Sequence, residues 1–314
     1  MTVLSMKVRV CNISFSKNTI LVNKIKKHFN DVIINQKGIR LEGQNLIDFC
    51  KDADAIVVGV EKIDAAILEK LPNLKIIAKY GVGIDNIEIE SCKARGVIVG
   101  WTGGVNKRSV SELTLGYMLI LMRNIFSSYS NLKKLKWIKD GGNSLSNKKI
   151  GIIGVGNIGQ DLIKLLSVFD CEIFANDILE YPSLSEKLKF KYVSKDFLYR
   201  NSDIISIHVP LNAETKNMIN MEVFNKMKKS SILINTSRGG VVCEKDLIDA
   251  LKNKKIHSAA LDVFQYEPLK NEELVCLSNI ICTPHIAGNS KEAVIEMGNS
   301  AISHLINFKN ENQN

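Results

Sequence analysis

The sequence has no apolar run long enough to cross a bilayer. Its longest, LTLGYMLILM at 113–122, is flanked by Lys107, Arg108 and Arg123 and falls well short of the ~20 residues that a spanning helix needs. It reads as a buried helix, and no membrane partner is expected. No N-terminal stretch combines a basic start, an apolar run and a small-residue cleavage site, so no export signal is expected. The seven cysteines include no CxxC pair and no histidine partners at zinc spacing, so neither a metal site nor a disulfide framework is expected. They read as small core residues in a reducing cytoplasm. Internal repeats and low-complexity segments are also missing.

Acidic excess is absent too: the formal charge is +9, which raises nucleic acid as a partner. The lysines, however, are spread among acidic residues, and their densest clusters (LKKLKWIK, KMKKS, KNKK) fall at expected helix ends and turns, where cations complement the helix dipole. No aromatic-interleaved basic stripe accompanies them, so no nucleic-acid partner is expected. A positive field that draws in small anionic substrates is the reading that survives.

What is present is an alternation of strands and helices. With 314 residues the chain is long enough for roughly two domains. Apolar runs and helical periods predict strands at 6–13, 32–35, 54–60 and 74–79, and helices at 17–30, 43–51, through AAILEKL and at 87–95. A parallel sheet covered on both faces follows. Near 105 the pattern changes to a long helix opened by SVSE, where Ser109 and Glu112 have the spacing of a capping box. Apolar on nearly all sides, it suits a connector between two bodies. From 149 the alternation resumes (KIGIIG, CEIFAN, KFKYV, DIISIH, SILIN, AALDVF, NIICT), enough for a doubly wound dinucleotide domain. A last helix at about 290–309 is expected to pack back on the first domain.

Within GIIGVGNIGQ, Gly154 permits the turn out of a strand, Gly156 lets the backbone approach a pyrophosphate, and Gly159 lets helix and strand pack closely. The phosphate would sit on the helix N-terminus. The next strand ends in Asp177, where a carboxylate can bind both ribose hydroxyls or simply cap a turn. No arginine follows it directly to take an extra phosphate, so NAD is expected over NADP.

A hydride transfer between nicotinamide and a carbonyl needs a proton donor for the oxygen and a cation for a substrate carboxylate. Of the five histidines, His28 and His304 lie in amphipathic helices and His257 begins a strand, which suits structural roles. His208, in IHVPLNAET, ends a strand where ligands gather, although Pro210 after it suggests a loop-shaping part. His285 follows the last strand in TPHIAGN, at the carboxyl edge where open α/β sheets bind ligands. INTSRGGVV places Arg238 at another strand end, and LDVFQYEP places Asp262 and Glu267 after a third. A Glu beside a His would hold its ring and favour the imidazolium. Taken singly, Arg238 and Glu267 read equally well as surface ion pairs.

GVGIDNI, SVSELTLGYML, GIIGVGNIG with Asp177, HVPLNAET, INTSRGG, ALDVFQYEP and TPHIAGN stand in the order and spacing of one family. Over about residues 55–305 the chain resembles the D-isomer-specific 2-hydroxyacid dehydrogenases, with its nearest pattern in the short-form D-3-phosphoglycerate dehydrogenases. The resemblance implies an NAD-dependent oxidoreductase of D-2-hydroxy acids and 2-oxo acids, a small anionic substrate, and a cytoplasmic homodimer in which Trp137 lies on a dimerisation arm. It implies an α/β fold of two doubly wound parallel-sheet domains. A flavodoxin-like substrate domain (1–104, completed by 288–314) would carry an inserted NAD-binding Rossmann domain (105–287), with the site in a cleft between them and two connecting helices as its hinge. The late position of the glycine fingerprint is then the mark of the insertion.

Residue by residue, the resemblance implies that Arg238 binds the substrate carboxylate and polarises the carbonyl, that His285 is the acid or base, and that Glu267 orients and charges it. Asp262 would hold the nicotinamide carboxamide. Val82, Asn157, Ile158, His208, Val209 and Pro210 would line the cofactor site, together with Thr215, Thr236, Ser237 and Ala287. The substrate would meet Lys79, Tyr80, Gly81, Val82, Gly83 and Trp101, with the amides of 81–83 receiving its carboxylate. Departures from the pattern leave its distal group open. Gly59 and Lys79 stand where arginines are common, and lysine lacks the bidentate fork. Trp101 and Gly103 stand where Asn and Pro are common. The candidates are 3-phosphoglycerate and 3-phosphohydroxypyruvate, a phosphonate-like acid, glyoxylate or hydroxypyruvate, and a bulkier apolar acid. An NAD(H)-sensing, corepressor-like binding protein is the alternative from another class; a formate-type dehydrogenase is disfavoured because a carboxylate, not an amide, would partner the histidine.

Overall fold

A computed structural model describes residues 6–312. It divides into two compact units: unit 1 holds the residues up to Asn106 and those from Asn289 onward, and unit 2 is Lys107–Gly288.

Unit 1 begins β1 (Lys7–Val10), α1 (Ile13–Lys17), α2 (Thr19–His28), β2 (Asp31–Ile34), α3 (Gly43–Cys50) and β3 (Ala55–Val58). It continues α4 (Ala65–Glu69), β4 (Ile76–Lys79), α5 (Ile89–Ala94) and β5 (Ile98–Gly100). The strands pair in the order β2-β1-β3-β4-β5, all parallel, which is the flavodoxin-like winding. AIVV and IIAK of β3 and β4 are buried at every position, as strands covered on both faces must be. The helix expected at 17–30 is α2; a further short helix, α1, precedes it, because the strand expected at 6–13 ends at Val10. Asn12 accepts the Phe15 amide at 2.9 Å and Asn18 accepts the Leu21 amide at 3.1 Å, so two asparagine caps start two helices. The short strand β5 escaped the sequence reading. Within β1, Arg9 is 2% exposed, and its guanidinium bridges Asp52 at 2.7 Å and Asp31 at 2.8 Å; the Asp52 carboxyl is held below its usual range chiefly by that hydrogen bond.

Unit 2 opens with α6 (Lys107–Met122) and α7 (Ile125–Lys133), then β6 (Lys149–Ile153), α8 (Asn157–Leu166), β7 (Glu172–Asn176), α9 (Pro182–Leu188) and β8 (Lys191–Tyr192). After α10 (Lys195–Asn201) come β9 (Ile204–Ile207), α11 (Met221–Lys226), β10 (Ile232–Asn235), α12 (Glu244–Lys252), β11 (Ser258–Leu261), α13 (Glu272–Val275) and β12 (Ile280–Cys282). The seven strands are parallel in the order β12-β11-β10-β9-β6-β7-β8. Counted from β6, this is the dinucleotide-binding order extended by one strand, and it switches direction between β6 and β9.

The capping box read at SVSE is not one. Helix α6 starts at Lys107, so Ser109 lies inside its first turn and donates its hydroxyl to Ala287 O at 2.6 Å. α6 packs along α8 and lies wholly in unit 2. Its buried face carries Tyr117, Met118, Leu121 and Met122 against Leu162, Ile163 and Leu166 of α8. α7, not anticipated, has no buried residue.

The final helix, α14 (Lys291–Glu311), belongs to unit 1. Met297, Ala301, Ile302 and Leu305 join the core formed by β1, β3, β4 and α2. Ser290 caps it through the Ala293 amide. Among the described residues no helix is long and apolar enough to cross a membrane. The cysteines are free: Cys11, Cys50 and Cys92 are buried, but Cys276 is exposed, so the reading of all seven as core residues does not hold there. Cys276 follows the short helix α13, where its side chain faces solvent.

Candidate active site

The carboxyl edge of β6 carries the glycine turn. Gly154 has φ +96°, and a Cβ there would meet His208 O at 2.4 Å; only glycine takes this left-handed conformation at so close an approach. A Cβ on Gly159 would lie 2.1 Å from Gly154 O, so helix α8 reaches the turn only without one. Gly156 is different: nothing lies within 4 Å of a Cβ built on it, and as N-cap of the ten-residue α8 it offers no side chain to the orphan amides. The first-turn amides therefore face open space at the positive end of a helix, with exposed Asn157 and half-buried Ile158 beside them. That arrangement fits a pyrophosphate.

Asp177, one residue past β7, accepts the Val155 amide at 2.5 Å through Oδ2 and the Leu179 amide at 3.1 Å through Oδ1. The carboxylate thus ties the next strand to the glycine turn while staying half-buried. At the end of β9, His208 Nε2 lies 2.9 Å from Ser206 Oγ, whereas Nδ1 is buried without a partner. Burial pushes its pKa down to about 3, so the ring is neutral and leaves one polar atom at this edge for a ligand to satisfy. Val209 packs on the core below, and Pro210 O accepts the Thr215 hydroxyl at 2.6 Å. At the end of β10, Thr114 donates to Val110 O, which leaves the buried Thr236 hydroxyl to donate to Thr114 at 3.0 Å. The Ser237 amide and hydroxyl both donate to Asn235 Oδ1. These two side chains are spent internally and set the backbone path into Arg238.

The residues expected to do proton chemistry meet at the same edge. His285 Nδ1 is 2.7 Å from Glu267 Oε2. The Phe264 amide donates to Glu267 Oε1 at 3.0 Å, fixing the carboxylate from its other side. That hydrogen bond to Glu267 raises the His285 pKa against the lowering effect of burial, and the charges of Glu267 and Asp262 add to it. Burial pushes Glu267 up, but the bonds from His285 and Phe264 outweigh it and its carboxyl titrates below the ordinary range. Arg238 is close enough to oppose the charge on His285 and favour that on Glu267; its guanidinium is steered by donation to Ser237 O at 2.8 Å. Behind Arg238, a Cβ on Gly239 would strike Phe264 C at 1.9 Å, so glycine lets the Arg238 and Glu267 loops touch.

Asp262 does more than its position after β11 suggested. It is fully buried, and its oxygens accept the Ile286 amide at 2.8 Å, the Ala287 amide at 2.8 Å and the Thr283 hydroxyl. The Asp262 carbonyl accepts the His285 amide at 2.9 Å. The loop that holds His285 in a left-handed conformation, φ +53°, is thus moored on one carboxylate. Tyr117 of α6 bonds the Thr283 hydroxyl from behind, and Ser109 bonds Ala287 O. Sequence reasoning missed Thr283, Tyr117 and Ser109 in this role; the one available signal was a phenol and two hydroxyls in an otherwise apolar helix and beside Pro284.

In unit 1 the expected substrate residues follow β4 and β5. Lys79 is 5% exposed, and its ammonium donates to Gly59 O and to Asn86 Oδ1, so it lies beneath the surface that it was expected to present. Tyr80 is likewise in the core, edge-on to Phe15. Gly81, Val82 and Gly83 are half-buried and Trp101 is exposed.

Residues 115–287 match the D-isomer specific 2-hydroxyacid dehydrogenase, NAD binding domain. The chain is 40% identical over 265 residues to a hydroxypyruvate reductase of Thermotoga maritima, covering 82% of this chain and 85% of that one. It is 38% identical over 257 residues to a D-3-phosphoglycerate dehydrogenase of Methanocaldococcus jannaschii, covering 81% of this chain and 49% of that longer enzyme. Among solved structures it resembles the D-lactate dehydrogenase of Aquifex aeolicus complexed with NAD and lactic acid, with TM-score 0.82, 27% identity and coverage of 96% and 94% of the two chains. A glycine turn that fits a dinucleotide, a histidine hydrogen-bonded to a glutamate at the same sheet edge, and these likenesses agree: the chain belongs to the D-isomer specific 2-hydroxyacid dehydrogenase family and is an NAD-dependent oxidoreductase.

Proposed function

We propose that the chain reduces a small 2-oxo acid to the D-2-hydroxy acid, or runs the reverse, with Arg238, Glu267 and His285 as its catalytic residues. The observation that carries this is the His285–Glu267 pair, at 2.7 Å, on the same sheet edge as the glycine turn. Bound NADH supplies the hydride. Because Nδ1–H is committed to Glu267, the proton for the developing alkoxide comes from His285 Nε2–H, and Glu267 stabilises the imidazolium that must exist before transfer. Arg238 pairs with the substrate carboxylate and draws electron density from the carbonyl, a task suited to a planar five-donor cation. The turn amides of 81–83 in unit 1 are proposed, by the family resemblance, to take a substrate carboxylate. For the cofactor, the α8 N-terminus takes the pyrophosphate and Asp177 the ribose hydroxyls, repelling a 2′-phosphate.

Hydroxypyruvate is the first substrate to test, by likeness to the Thermotoga enzyme, with glyoxylate and 3-phosphohydroxypyruvate beside it. NADH oxidation by each acid, and NAD reduction with D- against L-2-hydroxy acids, decide the reading. Turnover restricted to the D-series and abolished in His285→Ala supports it; turnover indifferent to that substitution sinks it.

A homodimer is part of this proposal. α7 and the segment after it expose Phe126, Tyr129, Leu132, Leu135 and Trp137, the last two at 93% and 78%, an apolar face that a second copy would cover. Sedimentation of wild type against Trp137→Asp tests it. The proposed setting is the cytoplasm, where exposed Cys276 stays a thiol.

A further inference from the structure

Trp101 follows β5 at the carboxyl edge of unit 1, and its indole N–H donates to Val82 O at 2.6 Å. Val82 lies in the turn after β4, where Gly81 has φ +128°, open to glycine alone. Among the described residues the amides of Gly81, Val82 and Gly83 have no acceptor. A trans peptide points its C=O and N–H in opposite directions. Fixing the Val82 carbonyl on the indole therefore aims the Gly83 N–H the other way, and Trp101 sets the direction of one amide in a row of three.

The same edge offers little to a distal anion. Of the cations at the ends of β3 and β4 or just after them, Lys79, the last residue of β4, is buried and donates to Gly59 O and Asn86 Oδ1, and Lys62 pairs with Asp64 at 2.9 Å. Gly59 has no side chain, and a Cβ there would meet Asn12 Nδ2 at 2.0 Å, so a neutral carboxamide occupies that place. The Trp101 ring, 41% exposed, adds apolar surface.

We propose that Trp101 is a positioning residue for the turn that receives the substrate carboxylate, and that the substrate is a 2-oxo acid with a short uncharged substituent. This rests on the reading above that amides 81–83 take that carboxylate. The indole acts by orientation: without its N–H the 82–83 peptide is free to rotate, and the acid binds more weakly although the hydride and proton chemistry is unchanged.

Trp101→Phe keeps the ring and removes the donor. Its KM for pyruvate and hydroxypyruvate, and the Kd of the NADH-loaded enzyme for oxamate, rise about tenfold, the equivalent of one hydrogen bond of about 1.4 kcal/mol. Meanwhile kcat stays within about twofold and the NADH Kd is unchanged. Trp101→Gln, which restores an N–H donor without the ring, recovers part of the lost oxamate affinity, which a purely structural role would not predict. Wild type favours hydroxypyruvate over 3-phosphohydroxypyruvate by at least about tenfold in kcat/KM. Wild-type oxamate affinity in Trp101→Phe overturns the positioning role, and preference for the phosphorylated acid overturns the substrate class. If wild type reduces no 2-oxo acid, the functional reading above fails while oxamate binding still decides Trp101; absence of oxamate binding by wild type overturns this proposal.

Discussion

Glu267 Oε2 and His285 Nδ1 stand 2.7 Å apart across eighteen residues of chain, and each alters the other's proton affinity. His285 is raised above its ordinary 6.5, first by this hydrogen bond, so it carries its proton further into the neutral range. Glu267 is lowered below its ordinary 4.5 despite burial.

The pH dependence follows. In the reducing direction the rate needs the imidazolium, so kcat/KM for the 2-oxo acid falls as pH rises through the raised His285 pKa. Glu267→Gln moves that alkaline limb to lower pH and reduces the rate at pH 8 about tenfold or more. His285→Ala loses about 10²–10⁴-fold in kcat at every pH, with NADH affinity retained. For stability, the His285 contribution is complete below about 6.5 and is lost as pH climbs through the raised value. The Glu267 contribution is present above about 4.5 and is lost as pH falls through the lowered one. A limb that does not move in Glu267→Gln refutes the pairing as the source of the charge.

Arg238→Lys keeps the charge and loses the fork. The KM for the 2-oxo acid is expected to rise about tenfold or more, and kcat to fall as well, because a point charge on a flexible stem polarises the carbonyl less well. Steady-state kinetics over a range of the acid at saturating NADH measure both.

Gly159→Ala places a methyl 2.1 Å from Gly154 O. Helix α8 must move off the turn, at a cost of about 1–3 kcal/mol, and NADH affinity falls with it. Asp177→Ala leaves the Val155 and Leu179 amides without their acceptor; the NADH Kd rises about tenfold and the preference over NADPH shrinks. Calorimetric titration with both cofactors checks each variant.

Asp262→Ala strips the mooring from the His285 loop and leaves three donors without their acceptor, of which the buried Ala287 amide alone costs about 1–3 kcal/mol. A large drop in thermal midpoint is expected. Thr283→Val, a milder change that removes one of the three bonds, lowers kcat more than stability. Activity and melting measured together separate these effects.

Arg9→Leu leaves Asp31 and Asp52 without their shared cation. It destabilises the protein by about 2–3 kcal/mol, between the values for buried and surface pairs, without altering NADH affinity. Urea unfolding provides the test.

The elements most readily seen in the sequence were those whose signal is local. Runs such as AIVV, ILIN and KIGII need burial on two faces wherever they are placed, and GVGNIG carries its turn chemistry in consecutive residues. Less visible were short or weakly patterned elements. β5 is three residues long and half-exposed, and α7 buries nothing, so neither has a strong period. SVSE imitates a helix start because capping spacing says nothing of where the preceding turn began. Lys79 resembled a ligand to the substrate because no one-dimensional pattern tells a lysine on the rim of a strand end from one folded beneath it.

By itself the sequence determined the two wound sheets, the place of the dinucleotide turn and the residue types able to move a proton, since each depends on neighbours within a few positions along the chain. Only the tertiary structure decided that Glu267 addresses Nδ1 of His285, that Asp262 spends its oxygens on residues 283–287, and that Trp101 grips Val82. Those are contacts between segments eighteen or more residues apart, and hydrogen bonds reach barely 3 Å. Their partners are chosen by the path of the backbone, which no local pattern of side chains records.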